Sequence, residues 1–176
     1  GTLIVSDYRD IKRIMKSTKK MISFHSEDQY ELNKREKFIK RGDPKSHPKW
    51  RNESVCLICT KNLVKLANQT KKQIHILHIT TAEEIELLNK NKKYVSYEVT
   101  PQHLVLTSPT CYNKLGTLAQ MNPPIRSLRH NKRLRQALKN NEIDIVGSDH
   151  APHKLSEKKL EYPDSPSGMP GVQTLL

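Results

Sequence analysis

The stretch Ile143-Asp-Ile-Val-Gly-Ser-Asp-His-Ala-Pro-His153 is the most informative part of this 176-residue chain. Its first four residues predict a short buried β-strand that ends at Gly147. An acid and two imidazoles follow, namely Asp149, His150 and His153. Polar side chains at the carboxyl end of a buried parallel strand are where α/β proteins place their chemistry. One Asp and two His can bind a metal, transfer a proton and bind an anionic substrate.

The rest of the chain alternates between helix and strand patterns. The apolar spacing predicts helices over residues 6–18, 53–70 and 127–140 and from Thr81 onward, and strands over residues 21–25, 74–80 and 95–100. Residues 33–50 are expected to form a loop with at most a short helix, residues 109–121 to be irregular, and residues 172–176 to begin a helix. This alternation indicates an α/β fold with parallel strands and crossover helices, in a single domain over residues 1–176.

Composition narrows the class of protein. The net charge is +13, but the basic residues are scattered, and aromatic residues make up only 5% of the chain. A lysine-rich solvated surface is therefore expected, and a nucleic-acid role is the less favoured alternative. No apolar run approaches the roughly 20 residues of a membrane span, and the first residues show no signal-peptide pattern. Three cysteines make no disulfide framework, so a cytoplasmic location is expected.

Polar residues follow three of the four predicted strands, at His25, His78 and Asp149. In a parallel barrel the ends of these strands open into one mouth. Neutral imidazoles and a carboxylate suit Zn²⁺ or another divalent ion. His75 and His78 are three residues apart and would face opposite sides of a strand, so His78 is the predicted ligand and His75 a structural residue.

Other residues of the same types are assigned to structure. His47 and His130 lie in polar surroundings and are expected at the surface. Cys56 and Cys59 have the C-x-x-C spacing, but they lie in a predicted amphipathic helix without a second pair, which favours packing over redox or metal chemistry. Asn122, before two prolines, is either a turn residue or an amide aimed at a ligand.

Six motifs in order along the chain resemble the class I dihydroorotases of the amidohydrolase superfamily. They are His25-Ser-Glu-Asp28, His75-Ile-Leu-His-Ile-Thr-Thr-Ala-Glu-Glu84, Glu98-Val-Thr-Pro-Gln-His-Leu104, Met121-Asn-Pro-Pro-Ile-Arg126, Gly147-Ser-Asp-His-Ala-Pro-His153 and Ser165-Pro-Ser-Gly-Met-Pro-Gly171. The resemblance implies a (β/α)₈ TIM-type barrel with one or two zinc ions. It also implies reversible hydrolysis of the cyclic amide of dihydroorotate to N-carbamoyl-L-aspartate, a step of pyrimidine synthesis.

The resemblance also implies residue roles. His25 and His78 match ligands of the second metal. Asp149 matches a ligand of the first metal that also acts as general base and acid. Substrate contacts match Asn122, His153 and the backbone of Ser167 and Gly168.

Parts of the family pattern do not occur in this chain. The H-x-H pair, the substrate arginine beside it and the bridging carboxylate have no counterpart, and Gln102 stands where the family often has His. The expected fold is therefore a partial barrel without the N-terminal strands and the C-terminal end, completed by a partner chain or a second copy. Three interpretations of the function remain open: a truncated dihydroorotase, an inactive amidohydrolase-like scaffold, or another cyclic amidohydrolase of the allantoinase or dihydropyrimidinase type.

Overall fold

The computed structural model describes residues 4–175 and has an α/β architecture. Four strands alternate with helices, and short 3₁₀ turns occupy several of the connections. In chain order the elements are α1 (Tyr8–Ser17), β1 (Ile22–Phe24), α2 (Gln29–Arg35), α3 (His47–Trp50), α4 (Glu53–Thr70), β2 (Ile74–Ile76), α5 (Ala82–Asn89), β3 (Val95–Val99), α6 (Pro101–Val105), α7 (Thr110–Leu115), α8 (Leu128–Lys139), β4 (Ile145–Val146) and α9 (Leu155–Lys158).

The four strands form one parallel sheet in the order β1-β2-β3-β4. Ile74 of β2 pairs with Ile22 of β1 on one side and with Val95 of β3 on the other, and Val99 pairs with Val146 of β4. A parallel pair needs a crossover, and the helices between successive strands supply it. All four carboxyl ends therefore lie along one edge of the sheet.

The crossover helices begin and end where the local sequence dictates. The longest, α4, ends at Thr70, and its C-cap residue Lys71 adopts the left-handed conformation with φ 54°. The helix after β2 begins with a capping box, in which the Thr81 side chain accepts from the Glu84 amide and the Glu84 carboxylate accepts from the Thr81 amide. The capping box explains why the cap at Thr81 can be predicted from the sequence, whereas the helix over residues 53–70 follows from its apolar spacing.

The hydrophobic core lies between the sheet and its crossover helices. The central strands β2 and β3 contribute fully buried side chains, and α4, α5 and α8 cover them with apolar faces; the most deeply buried members are Val55, Leu63, Ala67, Ile74, Ile76, Ile85, Leu88, Val95, Tyr97, Val99, Leu134 and Ala137. In the part of the chain that the structure describes, no helix has the length and apolarity of a membrane span.

Four expectations about local structure differ from what the structure shows. Residues 33–50 contain the end of α2, two 3₁₀ turns and α3, and the segment expected to be irregular contains α7. The strand that opens the chemical motif is shorter than predicted and is not buried: Ile145 is 48% exposed and Val146 39%. Among residues 4–175, β4 pairs with β3 alone, so its other edge has no strand beside it. The predicted helix start near the C-terminus is a 3₁₀ turn at Val172–Thr174, and Leu176 lies outside the described residues.

A core substitution tests this layering. Leu63→Ala should lower the free energy of unfolding by about 2–5 kcal/mol, because Leu63 is 1% exposed and its truncation leaves a cavity beneath the sheet. Leu128→Ala is the matched control: it removes the same atoms from a side chain that is 52% exposed, and should cost less than about 1 kcal/mol. Urea denaturation followed by circular dichroism measures both. Equal losses would contradict the described core.

Candidate active site

Two imidazoles meet at the carboxyl edge of the sheet. His25 follows β1 and His78 follows β2, and their rings pack edge to face with centroids 4.7 Å apart. Nδ1 of His25 lies 3.0 Å from Nε2 of His78. His78 is 5% exposed and adopts φ 39°, a left-handed backbone uncommon for a side-chain-bearing residue. The sequence prediction of two histidines at neighbouring strand ends therefore corresponds to a close pair in space.

The ring of His25 is held by a buried ion pair between Glu27 and Arg51. Nε2 of His25 lies 2.8 Å from Oε2 of Glu27, and the same oxygen accepts from Nη1 of Arg51. The Glu27 side chain is 1% exposed and that of Arg51 is 14% exposed. Burial raises the pKa of Glu27, but the hydrogen bond from His25 and the charge of Arg51 outweigh it and lower the pKa to about 2. The carboxylate is therefore ionised and accepts the hydrogen bond from Nε2 of His25, which leaves Nδ1 as the nitrogen available to a metal ion.

The histidine pair fits two ligands of a zinc ion. Burial lowers the pKa of His78 to about 3, so its ring is neutral, as a metal ligand must be. Two nitrogens bound to one tetrahedral zinc at about 2.0–2.1 Å lie roughly 3.3 Å apart, close to the observed separation. A carboxylate behind a histidine ligand is the usual outer-shell partner. Within residues 4–175, no three His, Cys, Asp or Glu side chains are grouped to hold a metal, so this chain offers the pair as two donors.

Asp149 lies at the end of β4, on the same edge. Its backbone has φ 42°, and its side chain is half-buried. Burial raises the pKa of Asp149, while the nearby charge of His25 lowers it and that of Glu98 raises it. The residue before this turn has to be small, because a Cβ at Gly147 would lie 2.5 Å from Oε1 of Glu98. Asp149 therefore lies at the same edge of the sheet as His25 and His78.

Asn122 is held by a buried histidine that the sequence did not reveal. Nε2 of His47 lies 3.0 Å from Oδ1 of Asn122 and 3.0 Å from the main-chain oxygen of Met121. Both partners are acceptors, so the His47 ring donates from Nε2, and the Asn122 amide keeps its N–H groups for another partner. His47 is 1% exposed, so its expected surface position is wrong, as it is for His130 at 5%.

His153, Ser167 and Gly168 come together in the C-terminal loop. Nε2 of His153 lies 3.2 Å from the main-chain oxygen of Ser167, and His153 itself is exposed. Gly168 has φ 149°, and a Cβ there would lie 2.6 Å from the main-chain oxygen of Ala151. A side chain at this position would be strained and would clash, so the loop requires glycine.

The remaining histidines serve structure. His75 is 4% exposed and contacts Ser96 and Glu98 on β3, which fits the structural role predicted for it. His150 accepts from the amides of Gly171 and Val172 and joins the motif to the C-terminal loop. Cys56 and Cys59 are buried free thiols, as the packing interpretation predicts.

Sequence reasoning missed the residues that hold the site. Glu27, Arg51 and His47 contact candidate site residues, yet none was singled out as an orienting residue. Glu27 stands in a motif beside His25 and was within reach of pattern reading. Arg51 and His47 lie 24 and 75 residues from the partners they bind, and no periodic pattern encodes such distant pairs.

Solved structures define the class of fold. L-Hydantoinase (dihydropyrimidinase) from Arthrobacter aurescens superposes with a TM-score of 0.86 at 21% identity over 97% of this chain and 40% of that one. D-Hydantoinase (dihydropyrimidinase) from Thermus sp. gives 0.82 at 23% identity over 93% of this chain and 38% of that one. This chain has the fold of one part of a TIM-barrel amidohydrolase.

Sequence relatives narrow the class. Dihydroorotase from Methanosphaera stadtmanae is 32% identical over 171 residues, which are 90% of this chain and 38% of that protein. Dihydroorotase from Methanosarcina acetivorans is 34% identical over 167 residues, or 89% of this chain and 35% of that protein. No protein-family model matches the chain. The chain belongs to the dihydroorotase family of amidohydrolases and spans about two fifths of the length of these relatives.

Removal of Glu27 tests the buried pair. Glu27→Ala should cost about 3–5 kcal/mol in the free energy of unfolding, because it leaves the Arg51 charge buried without its partner. Glu31→Ala is the matched control: the Glu31–Lys34 pair is exposed on the side of Lys34, and its loss should cost less than about 1 kcal/mol. Chemical denaturation at neutral pH measures both, and a small loss in Glu27→Ala would contradict the role assigned to the pair.

Buried neutral histidines predict a pH dependence. Burial lowers the pKa of His78 to about 3 and of His47 and His103 to about 4, whereas an unfolded histidine titrates near 6.5. The unfolded state therefore binds more protons below about pH 6.5, and each histidine should remove up to about 3 kcal/mol of stability as the pH falls to about 4. Urea titrations across this range should show the loss. It should shrink in His47→Gln, and an unchanged slope in that variant would contradict the assignment.

Proposed function

We propose that this chain carries part of the active site of a dihydroorotase, which hydrolyses the cyclic amide of dihydroorotate reversibly to N-carbamoyl-L-aspartate in pyrimidine synthesis. The observation that carries the proposal is the His25–His78 pair, with its nitrogens 3.0 Å apart and Glu27 behind it. Such a pair is of little use to packing, since the buried His78 ring meets a second polar ring, that of His25, whose side chain is 44% exposed. It is the arrangement expected of two ligands to one ion.

Zinc is the proposed cofactor, held in part by His25 and His78. When bound, it polarises the amide carbonyl and makes a water molecule acidic near neutral pH. Asp149 is the third proposed metal-site residue. By resemblance to the family, it would be a ligand of the other ion of a two-metal site. We infer the metal from the similarity to dihydroorotases, and the neutral ring of His78 is the structural observation that supports a metal ligand there.

Asp149 is the proposed catalytic residue. Its carboxylate takes a proton from the attacking water as the new C–O bond forms at the ring carbonyl. The carboxylic acid then gives that proton to the ring nitrogen as the C–N bond breaks, so the atoms balance and Asp149 returns to its starting state. A half-buried position with a raised pKa favours this exchange, because the protonated form is less costly than in water.

The substrate carries a carboxylate and ring amides, and the proposed contacts match them. The Asn122 amide retains its N–H groups as donors because His47 occupies its oxygen. His153 and the backbone of Ser167 and Gly168 add polar groups on the opposite loop.

We place the protein in a reducing, cytoplasmic compartment, since Cys56, Cys59 and Cys111 are free buried thiols.

Zinc binding and turnover test the proposal together. The purified chain should retain zinc after equilibrium dialysis, and His25→Ala or His78→Ala should weaken that binding by about 10-fold or more, because each removes one donor. His130→Ala is the control, a buried histidine that contacts Glu53 and Glu83 instead. Turnover of dihydroorotate should fall at least about 100-fold in Asp149→Asn and stay unchanged in Asp10→Asn, an exposed residue of α1.

The alternatives give different results. Hydrolysis of dihydrouracil or allantoin in preference to dihydroorotate would assign the chain to another cyclic amidohydrolase. Zinc bound equally well by the wild type and by His25→Ala would contradict the metal site. Absence of both zinc and turnover would remove the hydrolase proposal for this chain and leave the reading of a non-catalytic scaffold.

A further inference from the structure

Lys158, at the end of α9, is a buried lysine that the proposed chemistry does not use. It is 6% exposed, and its Nζ donates to the main-chain oxygens of Gln120, at 3.0 Å, and Pro166, at 2.8 Å. Among the described residues, 4–175, no carboxylate is in salt-bridge contact with it. Its ammonium therefore interacts with backbone carbonyls from two segments that lie more than 40 residues apart in sequence.

Gln120 binds the same loop in return. It is 3% exposed, and its Nε2 donates to the main-chain oxygen of Ser165, at 2.8 Å, and to Oγ of Ser167, at 3.2 Å. Its main-chain oxygen accepts from the Gly168 amide, at 2.9 Å, and from the Lys158 ammonium. One residue two places before Asn122 therefore makes contacts all along the loop that contains Ser167 and Gly168.

The backbone of Lys158 is fixed as firmly as its side chain. Its main-chain oxygen accepts from the hydroxyls of Thr117, at 2.6 Å, and Ser165, at 3.2 Å. Burial lowers the pKa of Lys158 to about 8, so the ammonium form carries a desolvation cost that the two carbonyl bonds offset. The bonds of the Lys158 ammonium to the carbonyls of Gln120 and Pro166 join two chain segments, and we call this pair of bonds the bracket.

We infer that Lys158 is a positioning residue that fixes the segment carrying Asn122 against the loop carrying Ser167 and Gly168. The inference rests on the proposed function, since these three residues are the proposed substrate contacts. Without the ammonium, the carbonyls of Gln120 and Pro166 lose their common donor, and only the bonds of Gln120 still hold the loop to the Asn122 turn. The two walls of the substrate site then no longer hold a fixed separation, which weakens binding that depends on both.

Amide hydrogen exchange, measured by NMR, tests the bracket directly. Lys158→Met keeps most of the aliphatic stem and removes the ammonium. The Gly168 amide should exchange at least about 10-fold faster than in the wild type, while the core amides of Ile76 and Val99 keep their rates. Lys159→Met is the matched control, a neighbouring exposed lysine, and should leave the Gly168 rate unchanged. Unchanged Gly168 exchange in folded Lys158→Met would overturn the inference.

A second variant covers the case in which Lys158→Met does not fold. Gln120→Ala removes the side-chain bonds to Ser165 and Ser167 but leaves the main-chain oxygen in place. It should also speed Gly168 exchange, by a smaller factor, because the Lys158 bonds remain. Complete loss of Gly168 protection in this variant, with Lys158 intact, would assign the contact to the Gln120 side chain and overturn the inference.

Titration with N-carbamoyl-L-aspartate separates the bracket from the proposed function. In the wild type, the side-chain amide of Asn122 and the backbone amide of Gly168 should shift together with one dissociation constant. Lys158→Met should raise that constant about fivefold or more, and Lys159→Met should not. A wild type that shows no shifts would contradict the proposed function, whereas the exchange rates decide the bracket by themselves.

Discussion

Parallel pairing of the strands is the constraint on which the rest of this structure depends. Because β1 to β4 run in the same direction, the residue that follows each strand emerges at the same edge of the sheet. His25, His78 and Asp149 are separated by more than 50 residues along the chain, yet they reach one edge for this reason alone. Burial of Ile76 and Tyr97 fixes the register between β2 and β3, because a slip of one residue would turn these side chains away from the core.

Charges buried beneath that edge connect the site to the body of the protein. Arg51 binds Glu27, which binds His25, and the main-chain oxygen of Arg51 accepts from Arg126. Nε of Arg126 reaches in turn to the hydroxyl of Thr80, just after His78. A network of this kind behaves as a unit, because each buried polar group left unpaired is costly. The same network therefore stabilises the fold and orients the histidine pair.

Much of the secondary structure can be predicted from local signals in the sequence. The helix over residues 53–70, the cap at Thr81 and the positions of β1, β2 and β3 follow from periodicity and capping chemistry. The motif around Asp149 fixed the family, which the dihydroorotase relatives confirm. The prediction of a buried strand before Asp149 is wrong, because apolar composition does not indicate how many strands lie beside it. The predicted surface position of His47 is wrong because polar neighbours in sequence say little about burial in the folded chain.

The sequence by itself determined which elements form, the order in which they alternate and the family to which they belong, because these depend on patterns within about 20 residues. The tertiary structure decided which side chains meet. It placed the nitrogens of His25 and His78 3.0 Å apart, set His47 against Asn122 and put the Lys158 ammonium between two distant carbonyls. Such contacts join residues whose separation in sequence carries no periodic signal, so only the folded packing of the chain specifies them.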